Sequence, residues 1–151
     1  MKIVADTDIL STFARIKRLD ILNNMFDTVL IPPSVRFELN RGGIDIRKLN
    51  HVFLTLQKDE LKELGKAHSG LDKGEKECYV IAKRRGLPLA SNETIVSRLC
   101  KKENIGYLSV PRILRFAISE NFITRYEAKR LVNEIENEEH TVIKNKEEIF
   151  K

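Results

Sequence analysis

Four short apolar runs punctuate the chain at intervals that each leave room for at least one helix. They are Ile3-Val4-Ala5, Thr28-Val29-Leu30-Ile31, Leu87-Pro88-Leu89-Ala90 and Tyr107-Leu108-Ser109-Val110. Each is too short for a helix and too continuous for a half-exposed strand, as expected of strands buried on both faces. Between them the apolar residues recur every three or four positions. Short buried strands alternating with helices predict an α/β fold, three layers α/β/α around a central parallel sheet of Rossmann type, joined by right-handed crossovers. The predicted strands are 2–6, 28–31, 88–91 and 107–109, with 52–56 as a further edge strand. All 151 residues form a single domain in this reading, with a core over about 1–118 and a C-terminal helix and tail over 124–151.

The helices carry their own punctuation. Residues 8–26 follow a helical period that breaks near Lys17. Pro33 or Ser34 opens a helix to Asn40, ended by Arg41-Gly42-Gly43. A short helix falls within 58–70, ending near Gly70. Asp72-Lys73-Gly74-Glu75 reads as a capping box and Gly86 as the matching stop. A helix follows Ser91-Asn92-Glu93 through Glu103, and another runs from Pro111 to Asn121. Thr124-Arg125-Tyr126-Glu127 is a second capping box, opening a helix that buries Ala128, Leu131, Val132 and Ile135. The charged tail after Glu136 has little pattern.

Bulk properties narrow the classes. No apolar run is long enough for a transmembrane helix, so no membrane association is expected, and the N-terminus lacks a signal-peptide pattern. Cys78 and Cys100 suit two buried thiols in a reducing cytoplasm better than a disulfide framework or zinc site. The net charge of +5 tolerates a polyanionic partner without requiring one.

Parallel α/β sheets gather their ligands at the carboxyl ends of the strands. Four segments deliver acids to that edge: Asp6 at the end of the first strand, Glu38 in the helix after the second, Glu75 and Glu77 early in the helix before the third, and Glu93 just after the third. Converging carboxylates make a plausible Mg²⁺ site, because that ion takes oxygen ligands and keeps several waters. Each acid also has a plainer role. Asp6 and Asp8 can cap a helix, Glu38 borders a buried face, Glu75 completes the Asp72 capping box, and Glu93 suits a first helical turn. Glu75 and Glu77 lie about 200° apart on a helix, so both cannot face one ion. Glu77 is the expected ligand and Glu75 the alternate. Lys83-Arg84-Arg85 and Lys101-Lys102 fit helix ends that complement the dipole.

Read in order, Asp6-Thr7-Asp8-Ile9-Leu10, Val35-Arg36-Phe37-Glu38-Leu39, Leu71 to Ala82 and Ser91-Asn92-Glu93 resemble the motifs of PIN domains. The third is similar to the Gly-Glu-x-Glu-Ala-Ile-x-Leu-Ala motif of a prokaryotic, VapC-like branch. The resemblance implies a metal-dependent nuclease, an endoribonuclease of VapC toxin type with an antitoxin partner, RNA as substrate and a homodimer formed through the early helices. It implies that Asp6, Glu38, Glu77 and Glu93 are catalytic and bind Mg²⁺ or Mn²⁺. Thr7, Asp8, Ser91 and Asn92 would orient those ligands or water. Arg15, Arg36, Arg41 and Arg98 are the expected RNA contacts. The family usually carries aspartate where this chain has Glu93. That departure keeps a second reading open: an inactive PIN-fold module for RNA binding or protein interaction.

Overall fold

A computed structural model describes residues 1–151. Five strands form one parallel sheet: β1 (Lys2–Ala5), β2 (Thr28–Ile31), β3 (His51–Phe53), β4 (Leu89–Ala90) and β5 (Tyr107–Leu108), in the order β3-β2-β1-β4-β5. Every predicted strand is present, and the least regular one, β3, lies at an edge, where Val52 and Phe53 stay exposed. Ile3 pairs with Val29 on one side of β1, and Ala5 with Ala90 on the other. The strand order reverses direction between β1 and β4. That switch point opens a crevice beyond their carboxyl ends.

The helices are α1 (Thr7–Arg15), α2 (Leu19–Met25), α3 (Pro33–Arg41), α4 (Lys58–Leu64), α5 (Lys73–Arg85), α6 (Thr94–Lys102), α7 (Val110–Ser119) and α8 (Arg125–Glu139). The break between α1 and α2 falls at Lys17, whose φ of 58° is left-handed and cannot continue a helix. α5 matches its signals at both ends. Asp72 and Glu75 exchange capping hydrogen bonds, and Gly86 closes the helix at φ 64°. α4 stops at Leu64, capped by Gly65, well short of Gly70.

The last helix runs past Glu136 to Glu139, and His140 ends it in the left-handed region. The chain then folds back. The Glu136 carboxylate accepts the Ile143 N–H at 2.8 Å and pairs with Lys146 Nζ at 3.0 Å. A 3-10 turn, Lys146–Phe150, buries Ile149 against α7 and α8. The tail is therefore a docked hook, and one buried apolar cluster extends from Ile3 to Ile149.

The basic run at the end of α5 is paired with α4. Arg85 Nε and Nη2 lie 2.7 and 2.8 Å from the Glu60 carboxylate, which is buried, and Arg84 Nε is 3.0 Å from Glu63. Lys83 Nζ lies 3.6 Å from Glu63. These three cations hold α4 against α5.

Candidate active site at the carboxyl edge of the sheet

β1 ends in a buried carboxylate. The Asp6 N–H donates to Ala90 O at 3.0 Å, which completes the ladder to β4, and Asp6 Oδ1 caps α1 by accepting the Thr7 N–H at 2.8 Å. Asp6 is 5% exposed. Its capping role and its place in the crevice coexist, because capping occupies one oxygen only.

Asp8, in the first turn of α1, ties three loops together. Its Oδ1 accepts the Ile9 N–H at 2.7 Å and its Oδ2 accepts the Asn92 N–H at 3.0 Å. Asn92 Oδ1 in turn accepts the N–H of Val110 at 3.0 Å. The loops after β1, β4 and β5 are thus linked through two side chains. Ser91 is fully buried, and its Oγ accepts the Glu93 N–H at 3.2 Å. Ser91 and Asn92 shape the turn that presents Glu93, whose side chain is exposed and makes no hydrogen bond.

Glu38 reaches the crevice from α3. Its Oε2 accepts the Thr7 hydroxyl at 2.9 Å. Its Oε1 lies over the backbone of Gly74, where a Cβ would stand only 2.6 Å away. Gly74 is therefore needed for close approach, not for an unusual backbone angle.

Glu77, the expected ligand, and Glu75, the alternate, meet different neighbours in the structure. Glu77 is 2% exposed and turned toward α3: its Oε1 accepts the Ser34 N–H at 2.7 Å and its Oε2 the Ser34 hydroxyl at 2.5 Å. The first N–H groups of a helix lack internal partners and attract negative charge. Ser34 stands in the first turn of α3, so Glu77 is spent anchoring α5 to α3. Glu75, although it keeps its capping bonds to Asp72, stands among the other acids. Burial raises its carboxyl above the usual range against the Asp72 N–H bond, and the charges of Asp72, Glu93 and Glu38 add to the rise. About 200° of helix separates the two side chains, so Glu77 meets α3 while Glu75 meets the acids. The Ser34 partner of Glu77 lies 43 residues away in sequence.

Asp6, Asp8, Glu38, Glu75 and Glu93 thus share one edge, and none forms a salt bridge. Burial pushes Asp6 up to about 8, with the neighbouring charge of Asp8 adding to it and the Thr7 N–H opposing. Asp8 rises to about 6, again through burial first, opposed by the Asn92 and Ile9 N–H groups and reinforced by Glu93 and Glu75. Uncompensated carboxylates held together in this way invite a cation. The donors are all hard oxygens of the kind Mg²⁺ and Mn²⁺ prefer. No three of them converge closely enough to hold an ion unaided. Added waters are the usual complement for Mg²⁺, so the donor set fits.

Of the four arginines expected at RNA, only Arg98 lines the groove beside these acids. Arg36 stacks over Phe53 at 4.0 Å, at the β3 edge of the sheet. Arg15 closes α1 at the end opposite Asp6, about 13 Å along the helix. Arg41 is exposed in the last turn of α3. The groove itself escaped sequence reading, because its far wall is the hook.

Residues 2–147 match the model of a family described as a PIN domain. Among solved structures, the chain is similar to a PilT N-terminus domain protein from the hyperthermophilic archaeon Sulfolobus solfataricus P2, at 16% identity and a TM-score of 0.61, over 78% of this chain and 94% of that one. No curated protein matches the sequence.

Proposed function

Because the chain belongs to the PIN domain family, generally a nuclease fold, we propose that it is a metal-dependent endoribonuclease of VapC toxin type. Asp6, Glu38, Glu75 and Glu93 would hold Mg²⁺ or Mn²⁺, with Asp8 beside them. The observation that carries this reading is the buried Asp6 standing among four other acids with no cation paired to any of them. When bound, the metal supplies an acidified water and offsets charge on the phosphodiester. The chain's own residues do the positioning. Thr7 holds Glu38, Asn92 holds Asp8, and Ser91 shapes the turn that presents Glu93. RNA is then the substrate and an antitoxin the controlling partner, with action in the cytoplasm and a homodimer as the assembly.

The competing reading is an inactive PIN module that binds RNA or protein. It is favoured by the absence of any three acids in metal-holding proximity. Calorimetric titration with Mn²⁺ separates the two. The nuclease reading expects binding at or below millimolar metal, lost in Asp6→Asn, together with Mn²⁺-dependent cleavage of single-stranded RNA by wild type but not by that variant. Absence of Mn²⁺ binding to wild type overturns it.

A further inference from the structure

A groove of about 1010 Å³ runs away from the acids. It starts at Asp8, Asn92 and Glu93, follows α6, and is closed on the far side by the end of α8 and the hook that follows it. Four cations line it: Arg98 and Lys101 on α6, Arg112 at the start of α7, and Lys144 on the hook. All four are exposed and none has an acidic partner within 4.0 Å. The three cations at the C-terminal end of α5, Lys83, Arg84 and Arg85, by contrast pair with α4. Arg98 and Lys101 are three residues apart and share one helix face.

The hook is pinned in place. Glu139 accepts the hydroxyl of the buried Thr12, one turn beyond Asp8, and Glu136 secures Ile143 and Lys146. The acids of the groove are accounted for separately. Asp8 and Glu93 belong to the catalytic end, Glu139 faces Thr12, and Glu148 lies on the 3-10 turn of the hook.

We propose that this groove is the track for a single RNA strand leaving the acidic site, with Arg98, Lys101 and Lys144 taking successive phosphates and the hook forming its outer wall. The inference rests on the nuclease reading and deepens it. Ligand pockets for single small molecules span roughly 300–1,000 Å³. A groove at the top of that range takes a few nucleotides of one strand. Unpaired cations along a channel give binding that tracks the backbone and weakens with salt.

The test is fluorescence anisotropy with a labelled eight-nucleotide RNA, in the Asp6→Asn background so that no cleavage occurs. Arg98→Gln/Lys101→Gln/Lys144→Gln is expected to weaken binding at least tenfold at 0.1 M salt. Its log–log salt slope should fall by about 2, three phosphate contacts at roughly 0.7 each. Circular dichroism and Mn²⁺ titration of the same triple variant with Asp6 intact should match wild type. Unchanged RNA affinity, no RNA binding by the parent, or equal affinity for a duplex of the same sequence overturns the proposal. Failure of Mn²⁺ to bind wild type sinks the nuclease reading instead, and leaves the groove to be decided by the RNA measurement.

Discussion

Gly74 of α5 and Glu38 of α3 touch without a side chain between them: a Cβ at Gly74 would stand 2.6 Å from Glu38 Oε1 and 3.5 Å from Val35 Cγ2. Close approach of α5 to α3 is what lets Glu38 sit at the crevice. The closest atom ends a flexible side chain, so Gly74→Ala should displace the carboxylate and leave the helices in place. Alanine also favours the helix by up to about 1 kcal/mol over glycine. The expected result is a thermal midpoint within a few degrees of wild type and Mn²⁺ affinity reduced at least about fivefold. Calorimetry beside a melting curve reads both.

Glu75 and Glu77 should separate cleanly. Glu77→Ala leaves the Ser34 N–H and hydroxyl without a partner in a half-buried site. Hydrogen bonds to a charged group are worth about 1.5–3 kcal/mol, so denaturant unfolding should show a loss of that order. Mn²⁺ affinity of the folded fraction should stay within about twofold. Glu75→Gln should do the reverse, costing about 1 kcal/mol or less at the cap while weakening Mn²⁺ at least tenfold. Equal effects of the two variants on metal would refute the assignment.

Stability of the metal-free protein should fall as pH rises. Asp6 is raised from an ordinary 3.8 to about 8 on folding, and Asp8 to about 6. Between those limits the folded state binds more protons than the unfolded state, so raising the pH favours unfolding. The contribution is complete below about pH 4 and is lost progressively up to about pH 8. Urea midpoints in EDTA should decline across that window, and Asp6→Asn should flatten the decline. Saturating Mn²⁺ should restore the loss at pH 8, since a ligand of the folded state stabilises it.

Arg85→Ala should damage the fold and spare the site. It leaves Glu60, with a side chain only 1% exposed, without the guanidinium that holds its carboxyl below the usual range. Breaking a buried pair costs about 3–5 kcal/mol, and the 23% exposure of Arg85 argues for the lower end. Arg85→Ala/Glu60→Gln should recover part of it, because no unpaired charge remains. Denaturant midpoints of the two variants measure the difference.

Local chemistry accounts for what could be read before any coordinates. Strand runs, capping boxes, the Lys17 break and the Gly86 stop all act over a few residues, so the α/β order and the placement of Asp6, Glu38 and Glu93 at one edge follow from neighbours along the chain. The edge placement of the 52–56 run was legible too, and His51–Phe53 lies at the sheet edge with Val52 and Phe53 exposed.

What neighbours along the chain cannot decide is which of two adequate partners a side chain takes. Glu75 and Glu77 are both sound helix residues, and only the packing of α5 on α3 brings Ser34 to Glu77 and leaves Glu75 with the acids. The same holds for the cations: α4 consumes Lys83, Arg84 and Arg85, while Arg98, Lys101 and Lys144 stay free. The tail looked patternless because its order comes from Glu136, α7 and α8, not from its own periodicity. Propensity and period along the chain set the α/β order and bring Asp6, Glu38 and Glu93 to one edge. Tertiary structure alone decided the fourth acid and the groove, since those depend on contacts between segments far apart in the chain.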